Sequence, residues 1–205
     1  MSGIREKQLQ KRKQETLDVA QRLLMERGYA NFNMDELADE VGISKPTLYQ
    51  YFNSKDDLAA QAVVRMFEKM EAQISGLSEK SPFEQLEHFL RSMLQARSQK
   101  IYLMAPADVE FMRSLVEHHP HVSKQLLAIR NKLEQIVRKA QALGEIDPSF
   151  PSWVVVNAVF SLQAVIHNPL AKHEPQRSEA ELAAAAASIL CIFRRGVGTE
   201  VLVKT

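Results

Sequence analysis

The sequence predicts an all-α protein, on three observations. Apolar residues recur at helical spacing along almost the whole chain. Gly, Asn and Pro punctuate those stripes at short intervals. No segment shows sustained strand alternation between turn signals. The chain has 205 residues, enough for a small unit and a larger one with a core of its own. Hydrophobic residues make up 45% and charged residues 25%, fractions ordinary for a soluble globular protein.

The elements follow in order. Leu17, Ala20 and Leu24 give a first helix one apolar face. Met34, Leu37, Ala38 and Val41 do the same for a second, short helix. Asn33 stands where an N-cap belongs, and Asp35 and Glu36 fill the first turn, where the helix dipole favours acids. Gly42 can take the left-handed conformation that ends a helix. Ile43 is the apolar plug of the turn. Ser44 can cap a third helix, and Pro46 falls in its first turn, where a missing N–H costs nothing. Leu48 and Phe52 point inward; Lys45, Thr47, Tyr49, Gln50 and Tyr51 point outward. Asn53 and Ser54 break the chain, and Asp56 and Asp57 open a longer helix. Two short helices joined by a tight turn, the second presenting polar and aromatic side chains, are the layout of a helix-turn-helix that enters the DNA major groove.

The stretch GISKPTLYQYFNSKDDL, Gly42 to Leu58, resembles the signature of the tetracycline-repressor (TetR) family of transcriptional regulators. Gly42, Ser44, Leu48, Tyr49, Phe52, Lys55 and Leu58 fit the family pattern, and the match extends back to Gly28. Phe32 and Asn33 depart from it, since the family usually has Thr or Ser there. Asn33 can still cap; Phe32 lacks a hydroxyl for phosphate. The resemblance implies a DNA-binding site of Lys45, Thr47, Tyr49, Gln50, Tyr51 and Lys55. Lys45 and Gln50 would read bases, as Lys reaches guanine O6 and N7 and Gln pairs bidentately with adenine. Thr47, Tyr49, Tyr51 and Lys55 would touch phosphate or sugar. It further implies residues 1–55 as a DNA-binding domain with a basic N-terminal arm. Residues 56–205 would be a helical domain that binds a small-molecule effector and forms the homodimer. The DNA partner would be a palindromic double-stranded operator.

Charge agrees with a DNA-binding end. The whole chain is +1, but residues 1–13 hold Arg5, Lys7, Lys11, Arg12 and Lys13 against Glu6 alone, a net +4 that leaves −3 for the remainder. A basic arm can follow a phosphate backbone or enter a minor groove; a solvated tail has the same composition.

Helices continue to the end of the chain. Ala59, Val63, Met66, Phe67, Met70 and Ile74 form the stripe of a fourth helix, and a break at 76–82 follows. Phe83, Leu86, Leu90, Met93 and Leu94 mark the fifth. Residues 100–119 are less regular, interrupted at Pro106, with Phe111, Met112 and Leu115 suggesting a short or bent helix. Val122, Leu126, Ile129, Leu133, Ile136, Val137 and Ala140 form the cleanest stripe, ended by Gly144 and Pro148. Segments 153–166 and 182–193 are apolar nearly all round, so each is expected to be buried on more than one side. One side can be the protomer core and the other a partner chain, the four-helix pairing of the last two helices that the family resemblance implies.

An effector pocket in the second domain would be lined by Phe89, Met93, Tyr102, Met104, Phe111, Met112, Trp153, Asn157 and Phe160, with Gln163 and His167 as further polar groups. That lining suits a largely apolar ligand, although Met and aromatic residues at helical spacing also make plain core. A DNA-binding protein of the same fold with no small-molecule effector is the alternative.

Other classes find little support. The one cysteine, Cys191, sits in an apolar stretch and is expected to be a buried small hydrophobe; alone it supports neither a disulfide framework nor a zinc knuckle. His118, His119 and His121 bracket Pro120 and read as an exposed turn rather than a metal site. There is no Gly-rich phosphate loop, nucleophile elbow or metalloprotease helix, so neither enzyme nor cofactor is expected. The N-terminus has no hydrophobic signal core, and no apolar run reaches the roughly 18 residues of a bilayer span. A cytoplasmic protein without a membrane partner is expected.

Overall fold

The structure, a computed structural model, describes residues 2–98, 109–162 and 178–199. They form nine helices: α1 (Ser2–Asn31), α2 (Met34–Val41), α3 (Lys45–Tyr51), α4 (Lys55–Ser75), α5 (Pro82–Ser98), α6 (Val109–His118), α7 (Pro120–Ala142), α8 (Ser152–Leu162) and α9 (Glu179–Val197). The fold is all-α. Extended pairing among the described residues is confined to one bridge, Ile146 to Gly198. None of the described helices is long and apolar enough to cross a membrane.

Packing divides the chain into two compact units, Met1–Glu68 with Met104–Gln125, and Lys69–Leu103 with Leu126–Thr205. Sequence reasoning puts its boundary after residue 55. Packing keeps the first two thirds of α4, as far as Glu68, with the first unit, and Leu58 and Ala62 close the same core as α1, α2 and α3.

That core consists of Leu17, Ala20 and Leu23 from α1, Phe32 and Met34, Leu37 and Ala38 from α2, and Leu48 and Phe52 around α3. Leu23 is the buried member of its pair and Leu24 only packs against the edge. Thr16 is buried but satisfied, its hydroxyl donating to the Arg12 carbonyl at 2.8 Å. α3 has seven residues, too few to be stable alone; Leu48 and Phe52, both fully buried, hold it. Phe32 is likewise core, which accounts for an apolar residue where the family pattern has a hydroxyl.

The basic N-terminal stretch differs from the expected arm. It is the beginning of α1, helical from Ser2, with Lys7, Lys11 and Arg12 exposed and Lys11 3.8 Å from Glu15 one turn on. No helix breaker stands between Gly3 and Gly28. Gly28 then interrupts the helix with φ 75° and ψ 164°, a conformation essentially reserved for glycine.

The second unit is built on apolar faces of α5, α7, α8 and α9. Phe83, Leu86, Phe89, Leu90 and Met93 of α5 are buried, as are Ile129, Leu133 and Val137 of α7, Val155, Val156 and Val159 of α8, and Ile189, Leu190 and Phe193 of α9. α5 packs chiefly on α9, and both touch α8. Phe83 and Phe193 stack with centroids 5.8 Å apart, and Arg194 bonds Glu87 at 2.7 Å beside them. α5 opens on a reciprocal cap, Ser81 with Glu84.

Two expectations are corrected in this unit. Cys191 is exposed, not buried. Ile189, Leu190 and Phe193 face the core, and at 100° per residue Cys191 and Ile192 fall on the other side of α9. Trp153, expected to line the effector pocket, is 56% exposed on the first turn of α8. The inward register of that helix goes to Val155, Val156 and Val159 instead.

Candidate nucleic-acid interface

The turn between α2 and α3 is built from local hydrogen bonds. The Asn33 side-chain oxygen accepts from the Asp35 N–H at 2.9 Å and caps α2. Gly42, at φ 71° and ψ 37°, ends it; its N–H and that of Ile43 reach the carbonyls of Asp39 and Ala38, as in a left-handed C-cap. Ser44 caps α3, accepting from the Thr47 N–H at 3.3 Å, and Pro46 lies in the first turn. Ion pairs of Arg22 with Glu40 and Arg27 with Glu36 tie α2 back to α1.

This scaffold turns one face of α3 outward. Lys45, Tyr49 and Gln50 are exposed; Thr47, Tyr51 and Lys55 are half-buried. Lys45 Nζ lies 2.6 Å from the Asp35 carboxylate. That hydrogen bond, and then the carboxylate's charge, push the lysine pKa up. The Thr47 hydroxyl pairs with that of Ser44 at 2.8 Å. Tyr51 sits edge-on to Phe52 at 6.4 Å. The Lys55 ammonium stands 4.3 Å from the centroid of the Tyr29 ring and 5.8 Å from that of Phe32. The start of α4 is fixed by Ser54 Oγ, which accepts from the Asp57 N–H, and by Asp57, which accepts from the Asn53 N–H and from Gln61. Burial works against the Asp57 charge, but these bonds, with Lys13 and His119 nearby, hold its pKa below the ordinary range.

Two residues join this region that sequence reasoning did not place there. Tyr29 follows the break at Gly28, and its hydroxyl donates to Asp56. Burial first, then the bond to Asp56 and its charge, raise its pKa to about 12. Phe111 of α6, expected in the effector pocket, stacks on the Tyr29 ring with centroids 3.7 Å apart and planes 9° from parallel. Helical periodicity carries no information about a contact so distant in sequence; an aromatic residue directly after a helix-breaking glycine is the only local signal.

The other expected effector residues separate. Met112 is buried in the first unit with Phe111. Phe89, Met93, Asn157 and Phe160 lie in the second. There Phe89 meets Phe160 edge-on at 6.1 Å, and the Asn157 side-chain oxygen accepts from Arg130 at 2.9 Å. Tyr102, Met104, Gln163 and His167 lie outside the described residues. A recess of about 280 Å³ opens in the first unit, between Leu17, Gln61, Val64, Arg65 and His119. Arg65 spans it to the Gln14 carbonyl at 3.0 Å and Asp18 at 2.9 Å. His118 turns back on its own helix, Nδ1 2.9 Å from the Ser114 carbonyl. Among the described residues no three side chains are grouped to hold a metal ion.

Residues 17–62 match the model of the bacterial regulatory proteins of the tetR family. These residues are a TetR-family domain. Over 47 residues, 23% of this chain, the sequence is 47% identical to the HTH-type transcriptional activator FasR of Mycolicibacterium smegmatis, covering 22% of that protein. Over 136 residues it is 27% identical to the HTH-type transcriptional repressor KstR of Mycobacterium tuberculosis, covering 65% of this chain and 60% of that one. The chain thus spans less than two thirds of either relative. The structure of FadR from Bacillus subtilis in complex with stearoyl-CoA superposes with a TM-score of 0.67 at 19% identity, covering 89% of this chain and 98% of that one. This last likeness is one of fold. The TetR-family domain contains α2, α3, the start of α4 and Tyr29.

Proposed function

We propose that the protein is a sequence-specific DNA-binding transcriptional regulator. In this reading it is a cytoplasmic repressor that a small, largely apolar effector releases from a palindromic operator. The observation that carries the reading is the outward face of α3: Lys45, Tyr49 and Gln50 stand exposed on a helix capped at Ser44 and anchored by Leu48 and Phe52. Lys and Gln are base-reading types, and one helix of this length reads too few base pairs alone. Two copies related by a two-fold axis would read an inverted repeat. Pairing through α8 and α9 is the arrangement that fits, since Ala183, Ala184, Ala187, Cys191 and Ile192 form an exposed, mostly small apolar surface on α9. Repression rather than activation follows KstR, to which the similarity extends well beyond the DNA-binding unit. The apolar effector is supported by the FadR structure, whose ligand carries a long acyl chain.

A second reading keeps the DNA-binding function without an effector. It is favoured by Phe89 and Met93, which are almost completely buried, and by Asn157, already engaged by Arg130. Melting in the presence of stearoyl-CoA, and of shorter acyl-CoAs, separates the two. A rise in melting temperature together with release of DNA supports the effector; neither change with any acyl-CoA supports the second reading.

The primary test is selection of bound sequences from random duplex DNA. Enrichment of one inverted repeat, with affinity falling steeply as salt rises, is the expected result. Equal recovery of all sequences would overturn sequence-specific regulation.

A further inference from the structure

Building on the DNA-binding reading, we infer that Tyr29 is a positioning residue for the Lys55 ammonium, holding it over an aromatic face ready for the DNA backbone, and that Phe111 fixes Tyr29 for that task. Lys55 is the first residue of α4, and its Nζ stands 4.3 Å from the Tyr29 ring centroid. Lysine carries a point charge on a flexible four-carbon stem, so ordering it for one phosphate carries an entropic cost. A carboxylate neighbour would order it but would also neutralise it and compete with phosphate. Lys45 has such a neighbour in Asp35. An aromatic face attracts the ammonium through its quadrupole and leaves the full charge in place. Asp56, adjacent to Lys55 in sequence, accepts the Tyr29 hydroxyl.

The ring is itself held from three sides. Gly28, at φ 75° and ψ 164°, breaks α1 immediately before it. The Asp56 bond fixes the hydroxyl end. Phe111 of α6, in the same compact unit, covers the ring at 3.7 Å between centroids. With a pKa of about 12, raised first by burial and then by Asp56, the hydroxyl stays a donor at neutral pH.

The test uses the duplex enriched by selection and the full chain as wild type, Lys55→Ala, Tyr29→Leu, Tyr29→Phe, Phe111→Leu and the Lys55→Ala/Tyr29→Leu pair. Affinity is measured across a salt series. Lys55→Ala should flatten the salt slope by about one. Tyr29→Leu should weaken binding roughly two- to fivefold, the scale of an exposed cation–π contact, with the lysine still present. Tyr29→Phe keeps the ring and should recover most of that loss, while Phe111→Leu should follow Tyr29→Leu. The double variant should bind no more weakly than Lys55→Ala. Additive losses in the double variant, or a Tyr29→Phe as weak as Tyr29→Leu, would overturn the inference while leaving DNA recognition intact. An unchanged salt slope in Lys55→Ala would remove Lys55 from the phosphate contacts and this inference with it. Failure of the wild type to enrich any sequence would overturn the DNA reading as well.

A DNA-free measurement guards against variants that do not fold. In the free wild-type protein the Lys55 side-chain methylene resonances should carry the ring-current shift of Tyr29, preserved in Tyr29→Phe. Unshifted wild-type resonances overturn the inference whatever the variants do.

Discussion

Gln50 and Tyr29 represent two kinds of residue in this site. Gln50 is exposed on α3 with a side chain able to pair two edges of adenine. Gln50→Ala should cost about 1–3 kcal/mol at one base position and relax preference there. Repeating the selection with the variant checks this; uniform weakening with preference unchanged would remove Gln50 from base reading. Tyr29 titrates rather than reads. Its pKa in the fold lies near 12 against an ordinary 10.0, so folding favours the neutral hydroxyl. The linked stability is complete below the ordinary value and is lost as pH climbs toward the raised one, because the unfolded chain ionises first. The difference in tyrosinate absorbance between wild type and Tyr29→Phe should therefore centre near pH 12, and Asp56→Asn should shift it lower. A difference curve centred at the ordinary value would show that neither burial nor Asp56 holds the hydroxyl neutral.

At the scale of elements, α3 depends on its ends. Seven residues cannot propagate a helix alone, so the cap at Ser44 and the turn at Gly42 determine whether the reading surface forms. Ser44→Ala should cost about 1 kcal/mol in urea unfolding. Gly42→Ala isolates the backbone contribution. A Cβ there would meet nothing within 4 Å, yet φ is +71°, so strain alone should cost roughly 1–2 kcal/mol. A neutral Gly42→Ala would mean that the turn relaxes out of the left-handed region. Both devices are legible in sequence, since Asn33, Gly42 and Ser44 act through neighbours at most five residues away. The start of α9 is equally local: Ser178, four residues before Leu182, forms a full capping box with Glu181.

At the scale of the whole molecule, large apolar side chains stand exposed among the described residues. Ile192 is 60% and Trp153 56% exposed, on α9 and α8. Exposed apolar surface of this kind marks an association site when it is contiguous. Ile192→Glu should yield a monomer in sedimentation with unchanged circular dichroism, because its side chain lies outside the core. Phe193, one residue on, is 2% exposed, and Phe193→Glu should unfold the protein by burying an unpaired charge. A wild-type protein that sediments as a monomer at micromolar concentration would sink the dimer.

Sequence alone determined what is encoded locally. Periodicity, caps and turn residues act within a few residues, so the helical class, the α2–turn–α3 unit and the stripe of α4 from Ala59 to Ile74 could all be read from the chain. The outward face of α3 followed from the same logic, because Leu48 and Phe52 fix which side is inside. Tertiary structure decided whatever depends on residues distant in sequence. It turned Cys191 and Trp153 outward, since only the packing of α8 and α9 reveals which side of a uniformly apolar helix meets the core. It made the basic N-terminus part of α1. It also moved Phe111 from an expected ligand pocket to the Tyr29 ring, because a stripe shows that a side chain is apolar but not which surface it will cover.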